Sequence, residues 1–385
     1  MDTRILIVAG EASGDSHAAK LVNEIRNILP TTSFFGAAGP KMRESGVDAV
    51  VHSDELSIVG LPEIARALPK FLNVYRKLLN SAGTRHPAVA ILVDFPEFNL
   101  KLARSLKRHG IPVVYYISPQ LWAWRRYRIR TIKRDVELLL SILPFEKAWY
   151  ADHGVHHVEY VGNPLAREVH PTLSKEEFCQ EHSIDAYKPL VAMLPGSRHK
   201  EIVRILPEML AAAGTMQRKD PSIQFVAALA SQRHFEHFRA VVEHRTAASE
   251  PLKIKALVGE TYNALNAADV AAVTSGTATL EAGIIGTPMA IVYKTSAFNY
   301  KLMRPLIDVE HFGLINLIAG ERVANELIQD DLTAETLSAE LFRLLEPESN
   351  SDVRSRLRVA ADKLGHGGAS KRAAEAIVKL IAQRS

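Results

Sequence analysis

Short apolar runs, many of them β-branched, alternate with stretches of helical periodicity along this chain. That alternation restricts the fold more than any other feature. The runs Ile5–Val8, Val89–Val93, Val113–Ile117, Leu138–Leu143 and Val158–Val161 occupy the first half. Leu190–Leu194, Phe225–Leu229, Ile254–Val258, Val270–Val273 and Met289–Tyr293 occupy the second. Strands apolar on both faces are covered on both, the condition of a parallel sheet wrapped by crossover helices. With 385 residues, the chain is therefore expected to be α/β, with two doubly wound, Rossmann-like domains. Gly162-Asn163-Pro164-Leu165 through Pro171 breaks the pattern and marks the junction. The expected division is 1–166, 167–350 and a tail, 351–385. The tail reads as two helices around Gly365-His366-Gly367-Gly368 that pack back across the domains or onto a partner subunit, so a homodimer stays open.

Composition excludes several classes. An apolar fraction of 47% and a charged fraction of 23% are those of a globular protein with a sizeable core. Cys179 is the sole cysteine, so neither an intramolecular disulfide framework nor a cysteine metal cluster can form, and a reducing cytoplasm fits. No apolar run reaches membrane-spanning length, and the run ending at Ala9 is too brief for a signal-peptide core. The net charge of +4 is modest, but Arg125, Arg126, Arg128, Arg130, Lys133 and Arg134 cluster. Such a cluster suits a phosphate-bearing substrate or an anionic membrane surface. Without zinc-finger spacing or an aromatic RNA-binding strand, nucleic acid is not expected.

In open α/β sheets ligands bind beyond the carboxyl ends of the strands, and the polar motifs fall there. Leu194-Pro195-Gly196-Ser197-Arg198 and Ser275-Gly276-Thr277-Ala278-Thr279-Leu280-Glu281 each follow a strand and open a helix. Small residues let backbone N–H groups close on an anion at a helix N-terminus. Arg198 adds a guanidinium fork, and Glu281 could accept from sugar hydroxyls. Together they predict a nucleotide-diphosphate site, although either turn alone is also ordinary strand-to-helix chemistry. At the other sheet edge lie Glu11 to Asp15, Asp94 to Asn99 and Ser118 to Trp124. Asp94, in partly apolar surroundings, is the first candidate for a general base, with Glu11 and Asp15 as alternatives. An Asp at that position equally suits helix capping, as does Ser13. Ser13, Gly14, Asn99, Ser118, Gln120 and Trp122 are candidate acceptor contacts, and either Trp122 or Trp124 could instead be core. Glu97 is expected in solvent. The absence of any Asp-x-Asp triplet leaves no usual carboxylate pair for a metal-held diphosphate, so neither a metal nor a cofactor is expected. Ile64, Leu68, Phe71, Leu72, Tyr75, Leu78 and Leu79 keep helical spacing with Arg66, Lys70, Arg76 and Lys77 outside. The pattern fits a crossover helix or a membrane-surface helix. The apolar Leu56-Ser57-Ile58-Val59-Gly60-Leu61 before it favours the membrane, with Ile58, Val59, Leu61, Leu68, Phe71 and Leu72 as contacts.

The motifs Gly10-Glu-Ala-Ser-Gly-Asp15, Asp94-Phe-Pro-Glu-Phe-Asn99, Ser118-Pro-Gln-Leu-Trp-Ala-Trp124, Leu143-Pro-Phe-Glu146, Leu194-Pro-Gly-Ser-Arg198, Ser275 to Glu281 and Asn316-Leu-Ile-Ala-Gly320 occur in this order. The chain thereby resembles the lipid-A-disaccharide synthase family over almost its whole length. The resemblance implies a GT-B fold with two parallel sheets facing a central cleft. It implies a UDP-2,3-diacylglucosamine donor, a 2,3-diacylglucosamine 1-phosphate acceptor, and inversion to a β-1,6-linked disaccharide without metal. It also implies peripheral attachment to the cytoplasmic face of an inner membrane, and it adds Asn316 to the donor-site candidates. Asn163, Glu321 and Asn325 depart from the family pattern, where His, Arg and Pro are common. A UDP-N-acetylglucosamine 2-epimerase of the same architecture and a non-catalytic UDP-sugar-binding regulator are the alternative readings.

Overall fold

Arg4–Ala9 (β1) shows why the chain builds a covered sheet. Ile5, Ile7 and Ala9 point into one core cluster and Leu6 and Val8 into another, all fully buried. The computed structural model describes residues 3–55, 61–246, 252–296, 300, 309–365 and 367–384; of residues 54, 61–68 and 244–246 it describes the backbone alone. The chain divides into one unit of residues 1–164 with 366–385 and another of residues 165–365.

The first unit runs β1, α1 (Ala12–Ile28), β2 (Ser33–Ala38), α2 (Pro40–Glu44), β3 (Asp48–His52), α3 (Leu61–Arg85), β4 (Val89–Val93), α4 (Pro96–Arg108), β5 (Val113–Tyr116), α5 (Ile129–Asp135), β6 (Leu138–Ser141), α6 (Glu146–Asp152) and β7 (Val158–Tyr160). Its parallel sheet has the order β3-β2-β1-β4-β5-β6-β7. The order reverses between β1 and β4, and the loops leaving those two strands diverge to opposite faces, opening a crevice between them. Gly36 lets β2 close on β1: a Cβ there would lie 1.9 Å from the Ile7 carbonyl oxygen. The helix Ala369–Ala382 belongs to this unit. Its Ala373, Ala374, Ile377 and Ile381 pack with Ala18, Leu21, Val22 and Ile25 of α1, and Arg372 Nε donates to the Val161 carbonyl at 2.8 Å.

The second unit runs α7 (Leu165–Glu168), α8 (Lys175–Glu181), β8 (Leu190–Leu194), α9 (His199–Lys219), β9 (Gln224–Leu229), α10 (Gln232–Thr246), β10 (Ile254–Val258), α11 (Thr261–Ala267), β11 (Val270–Thr274), α12 (Thr277–Ile285), β12 (Met289–Tyr293) and β13 (Glu326–Ile328), with further helices at Leu314–Ala319, Ala334–Leu345 and Pro347–Asp362. Its parallel order is β10-β9-β8-β11-β12-β13, reversing between β8 and β11. Both units are thus α/β and doubly wound.

The helix α3 runs through Pro69 and turns Val74, Leu78 and Ala82 to the core. Phe71, expected at a membrane, is half-buried against that core, its ring 6.0 Å from Phe98. Helical periodicity places it on the Val74–Leu78 side, so part of its ring is turned from solvent. Leu72 is 47% exposed. Ile58 and Val59 lie outside the described residues, as do the side chains of Leu61 and Leu68. Among the described residues no helix is long and apolar enough to cross a membrane.

Candidate active site

At the β1/β4 reversal, the turn after β4 is under backbone strain. Asp94 and Phe95 both sit in the left-handed region, φ +47° and +50°, costing about 1–3 kcal/mol each. Neighbouring groups hold the turn. Asp94 N–H donates to the Tyr116 carbonyl at 3.0 Å, while the Asp94 carbonyl accepts from Asn99 Nδ2 at 2.8 Å and from the Tyr115 hydroxyl at 2.6 Å. Burial, then the charge of Asp94, keeps the Tyr115 phenol well above its ordinary pKa, so it remains a donor. The Phe95 ring lies over Gly10, where any Cβ would meet it at 2.5 Å, so the first and fourth loops close only with glycine there. None of these bonds engages the Asp94 carboxyl, which accepts from the Phe95 backbone N–H. Burial, then the charge of nearby Glu11, raises its pKa from 3.8 to about 6. A half-buried carboxylate titrating near neutrality, on a strained turn at a topological reversal, is suited to accept a proton.

The other residues of this edge take different parts. Glu11 and Ser13 are exposed on the first turn of α1, and Gly14 is buried beneath them. Asp15 is 2% exposed, and its carboxylate accepts from the backbone N–H groups of Gly39, Lys41 and Met42 at 2.8, 2.9 and 3.2 Å. It therefore caps α2, which removes it from the candidate bases. Asn99, fully buried, braces the Asp94 turn and has no surface for an acceptor, a second correction. Trp122 is a third: it is 5% exposed, its indole N–H donates to Glu146 Oε1 at 3.0 Å, and its ring meets Phe145 edge-on. Glu146 is buried, accepts also from Leu143 N–H, and its pKa rises to about 7 by burial. With the Tyr150 hydroxyl donating to the Pro119 carbonyl at 2.9 Å, it ties the Ser118–Trp124 loop to α6. Ser118 is buried in this loop, while Gln120 is exposed and Trp124 half-exposed. Asn163, buried, donates to the Ile142 carbonyl.

The second unit repeats the plan at the β8/β11 reversal. Leu194, Gly196, Ser197, Arg198, Ser275, Gly276, Thr277 and Glu281 line one cavity of about 320 Å³. Gly196 has φ +110° and Gly276 φ +142°, backbone states that side chains disfavour, and Gly276 caps α12. The 80%-exposed Arg198 side chain reaches Glu201 at 2.9 Å. Glu281 accepts from the Tyr262 hydroxyl at 3.2 Å, and burial raises its pKa despite that bond. Burial and the Glu281 charge lift Tyr262 to about 12. A second cavity of about 300 Å³, lined by Gly259 to Asn263 and His170, shares Thr261 and Glu281 with the first. A helix N-terminus, a guanidinium and a carboxylate lining one cavity match a diphosphate joined to a sugar.

Two donor-site expectations need correction. Asn316 is fully buried, accepts from Val323 and Ala324 N–H, and donates to the Ala324 carbonyl and Glu326. Glu326 accepts from Phe312 and Gly313 N–H, and the Phe312 carbonyl accepts from Ser275 Oγ at 2.7 Å. The Ser275 hydroxyl is thus committed to the protein, and Asn316 supports the cavity wall through this chain of bonds. Glu321 pairs with Arg356 at 2.9 Å, and the Asn325 side chain accepts from Glu326 N–H. Tyr115, Glu146 and Tyr262 escaped notice as site residues. Their partners are distant in sequence, although Glu146 closes a motif already singled out.

The family model described as lipid-A-disaccharide synthetase matches residues 5–381. The lipid-A-disaccharide synthase of Geobacter sulfurreducens is 39% identical over 382 residues, 99% of this chain and 98% of that protein. Among solved structures, a glycotransferase of kitacinnamycin aligns with TM-score 0.63 at 16% identity, covering 98% of this chain and 99% of that one. A UDP-GlcNAc 2-epimerase from Neisseria meningitidis, bound to UDP-GlcNAc, aligns with TM-score 0.63 at 13% identity, covering 98% and 100%. At such identities the structural likeness shows the fold alone, a GT-B type with two doubly wound sheets.

Proposed function

The chain belongs to the lipid-A-disaccharide synthetase family, glycosyltransferases of lipid A biosynthesis, and from that premise we propose that it condenses UDP-2,3-diacylglucosamine with 2,3-diacylglucosamine 1-phosphate. Asp94 takes the proton of the acceptor 6-hydroxyl as its oxygen attacks the donor anomeric carbon. The bond to the diphosphate breaks on the opposite face, UDP leaves with the electron pair, and the new linkage is β-1,6 with inversion. Charge growing on the diphosphate meets Arg198 and the N–H groups of Gly276 and Thr277, while Glu281 holds the ribose. The observation that carries this reading is the cavity of the second unit lined by Arg198, Gly276 and Glu281, to which the first unit adds, at its own strand reversal, the raised-pKa Asp94.

The test is an assay of purified protein with both lipids in neutral-detergent micelles, following the disaccharide and UDP. Stoichiometric appearance of both is expected. Because Arg198 and the α12 N-terminus meet the diphosphate charge, the rate should be unchanged by chelator. Loss on chelation, restored by magnesium, would refute metal independence, and UDP binding without product would favour the regulator reading.

Both substrates are acylated, so we place the protein at the cytoplasmic face of the inner membrane, peripherally attached through the stretch around 56–72. The apolar Leu56 to Leu61, the exposed Leu72 and the exposed Lys70 and Arg76 support this. Each basic residue contributes about 1 kcal/mol near an anionic surface. Binding to anionic vesicles should weaken several-fold between low and physiological salt, and further in the triple variant Ile58→Ser, Val59→Ser, Leu61→Ser. Unaltered sedimentation with vesicles in that variant would move the contact elsewhere.

A further inference from the structure

Glu97 opens α4 three residues after Asp94, and its side chain is 55% exposed. Each of its oxygens is taken by a different arginine: Oε1 accepts from Arg125 Nη1, and Oε2 from Arg128 Nη2 at 2.5 Å. Two guanidinium groups brought to one carboxylate repel each other, so this convergence persists only around an anion. The surrounding structure holds them there. Arg125 lies 4.3 Å over the Trp124 ring with its backbone in the left-handed region at φ +56°, and the Arg128 side chain is only 13% exposed. The Trp124 loop is itself anchored through Trp122 to the buried Glu146. Two guanidinium groups on one glutamate already leave a positive excess, and the exposed Arg130 follows two residues after Arg128. A carboxylate offsets one of these charges. A phosphate monoester carries nearly two and presents three acceptor oxygens in the geometry that guanidinium forks match. The first turn of α4 adds the favourable end of its helix dipole. The Tyr115 hydroxyl, bonded to the Asp94 carbonyl, also lies within reach of the charges of Arg128 and Glu97, so Arg128 and the base share one neighbour.

We propose that Arg125 and Arg128 bind the phosphate monoester of the acceptor, displacing Glu97 from between them. This rests on the acceptor reading above. The phosphate anchors the sugar at one end of its ring while the 6-hydroxyl at the other end meets Asp94. Glu97 holds the two guanidinium groups in place until the phosphate arrives and competes with weak anions.

The experiment compares two acceptors in neutral-detergent micelles with the full chain: 2,3-diacylglucosamine 1-phosphate and the same lipid lacking the phosphate. The wild type is expected to show a much lower KM for the phosphorylated acceptor. Arg125→Ala should raise that KM about 10–50-fold, the scale of a lost charge-assisted bond, with kcat changed far less. The KM ratio between the acceptors should then fall towards one. Arg125→Lys, which keeps the charge and loses the fork, should recover part of the difference, and Glu97→Gln should lower the KM for the phosphorylated acceptor. Thermal unfolding of each variant separates these effects from loss of fold. Equal weakening on both acceptors, or an unchanged ratio, overturns the proposal. It is also overturned if micellar kinetics are unaltered and only binding to anionic vesicles is lost, which would assign the arginines to lipid phosphates. If the wild type binds UDP but glycosylates neither acceptor, the acceptor reading itself fails and the proposal falls with it.

Discussion

Asp94→Asn is expected to lower turnover by about two to four powers of ten, the usual scale of a lost general base, while leaving UDP affinity and fold intact. The substitution is a clean probe because the bonds that shape the turn run to the Asp94 backbone. The Tyr115 and Asn99 donors meet its carbonyl, and its N–H meets Tyr116. In the wild type the base is competent when ionised, so turnover should rise with pH through about 6 and then level off. The residual activity of the variant should lack that limb. The sign for stability is opposite. The folded state holds the Asp94 proton more tightly than the unfolded chain, so the group's contribution is fully present below its ordinary pKa of 3.8 and is lost as pH rises through about 6. Asparagine carries no charge to desolvate, so the variant should exceed the wild type in stability at pH 8, by at most about 3 kcal/mol. The gap should close below pH 4. Denaturant titrations at both pH values, beside pH–rate profiles, check the two signs together. Turnover within a few-fold of wild type would pass the role to Glu11, since Asp15 is bonded to three N–H groups of α2.

The doubly wound architecture was readable because β1, β4, β8 and β11 are buried along nearly their whole length and so appear as unbroken apolar runs. The strands that escaped notice lack that signature. Ser33-Phe-Phe-Gly-Ala-Ala in β2 carries small residues and a glycine because its backbone closes on Ile7. The outermost strand β3 begins and ends on exposed Asp48 and His52, and β13 has three residues.

In the site, positions were legible but roles were not. Asp94 and Asn99 belong to one motif, and only the fold makes one a half-buried carboxyl of raised pKa and the other its brace. Asp15 sits in a run that reads as local capping, yet it caps a helix beginning 25 residues later. Trp122 and Glu146, 24 residues apart, meet because β5 and β6 are neighbours, a pairing that no local pattern encodes. Asn316 reads as a donor contact by its motif, and its four hydrogen bonds to buried partners place it one layer behind the cavity wall.

Arg198→Ala is expected to lower kcat/KM by about 10²–10³, with UDP affinity falling less, by roughly tenfold. The difference follows from where charge appears. In bound donor the diphosphate is already anionic, but its bridging oxygen gains a further charge only as the glycosidic bond breaks, and interactions made with that charge act on kcat. Arg198 is placed to make one. Among the described residues its exposed guanidinium pairs with Glu201, a surface pair worth about 0–1 kcal/mol, so exchanging that partner for a diphosphate costs little. The N-terminus of α12 supplies the remaining donors, its approach kept open by Gly276 at φ +142°. Arg198→Lys should sit between wild type and alanine, because the charge remains while the two-pronged geometry is lost. Glu201→Gln, which releases the arginine, should tighten UDP by no more than a few-fold. Isothermal titration with UDP and single-turnover kinetics measure the two effects separately. A tenfold loss of UDP affinity with an unaltered single-turnover rate would make Arg198 a ground-state anchor and leave the departing charge to the backbone N–H groups of Gly276 and Thr277.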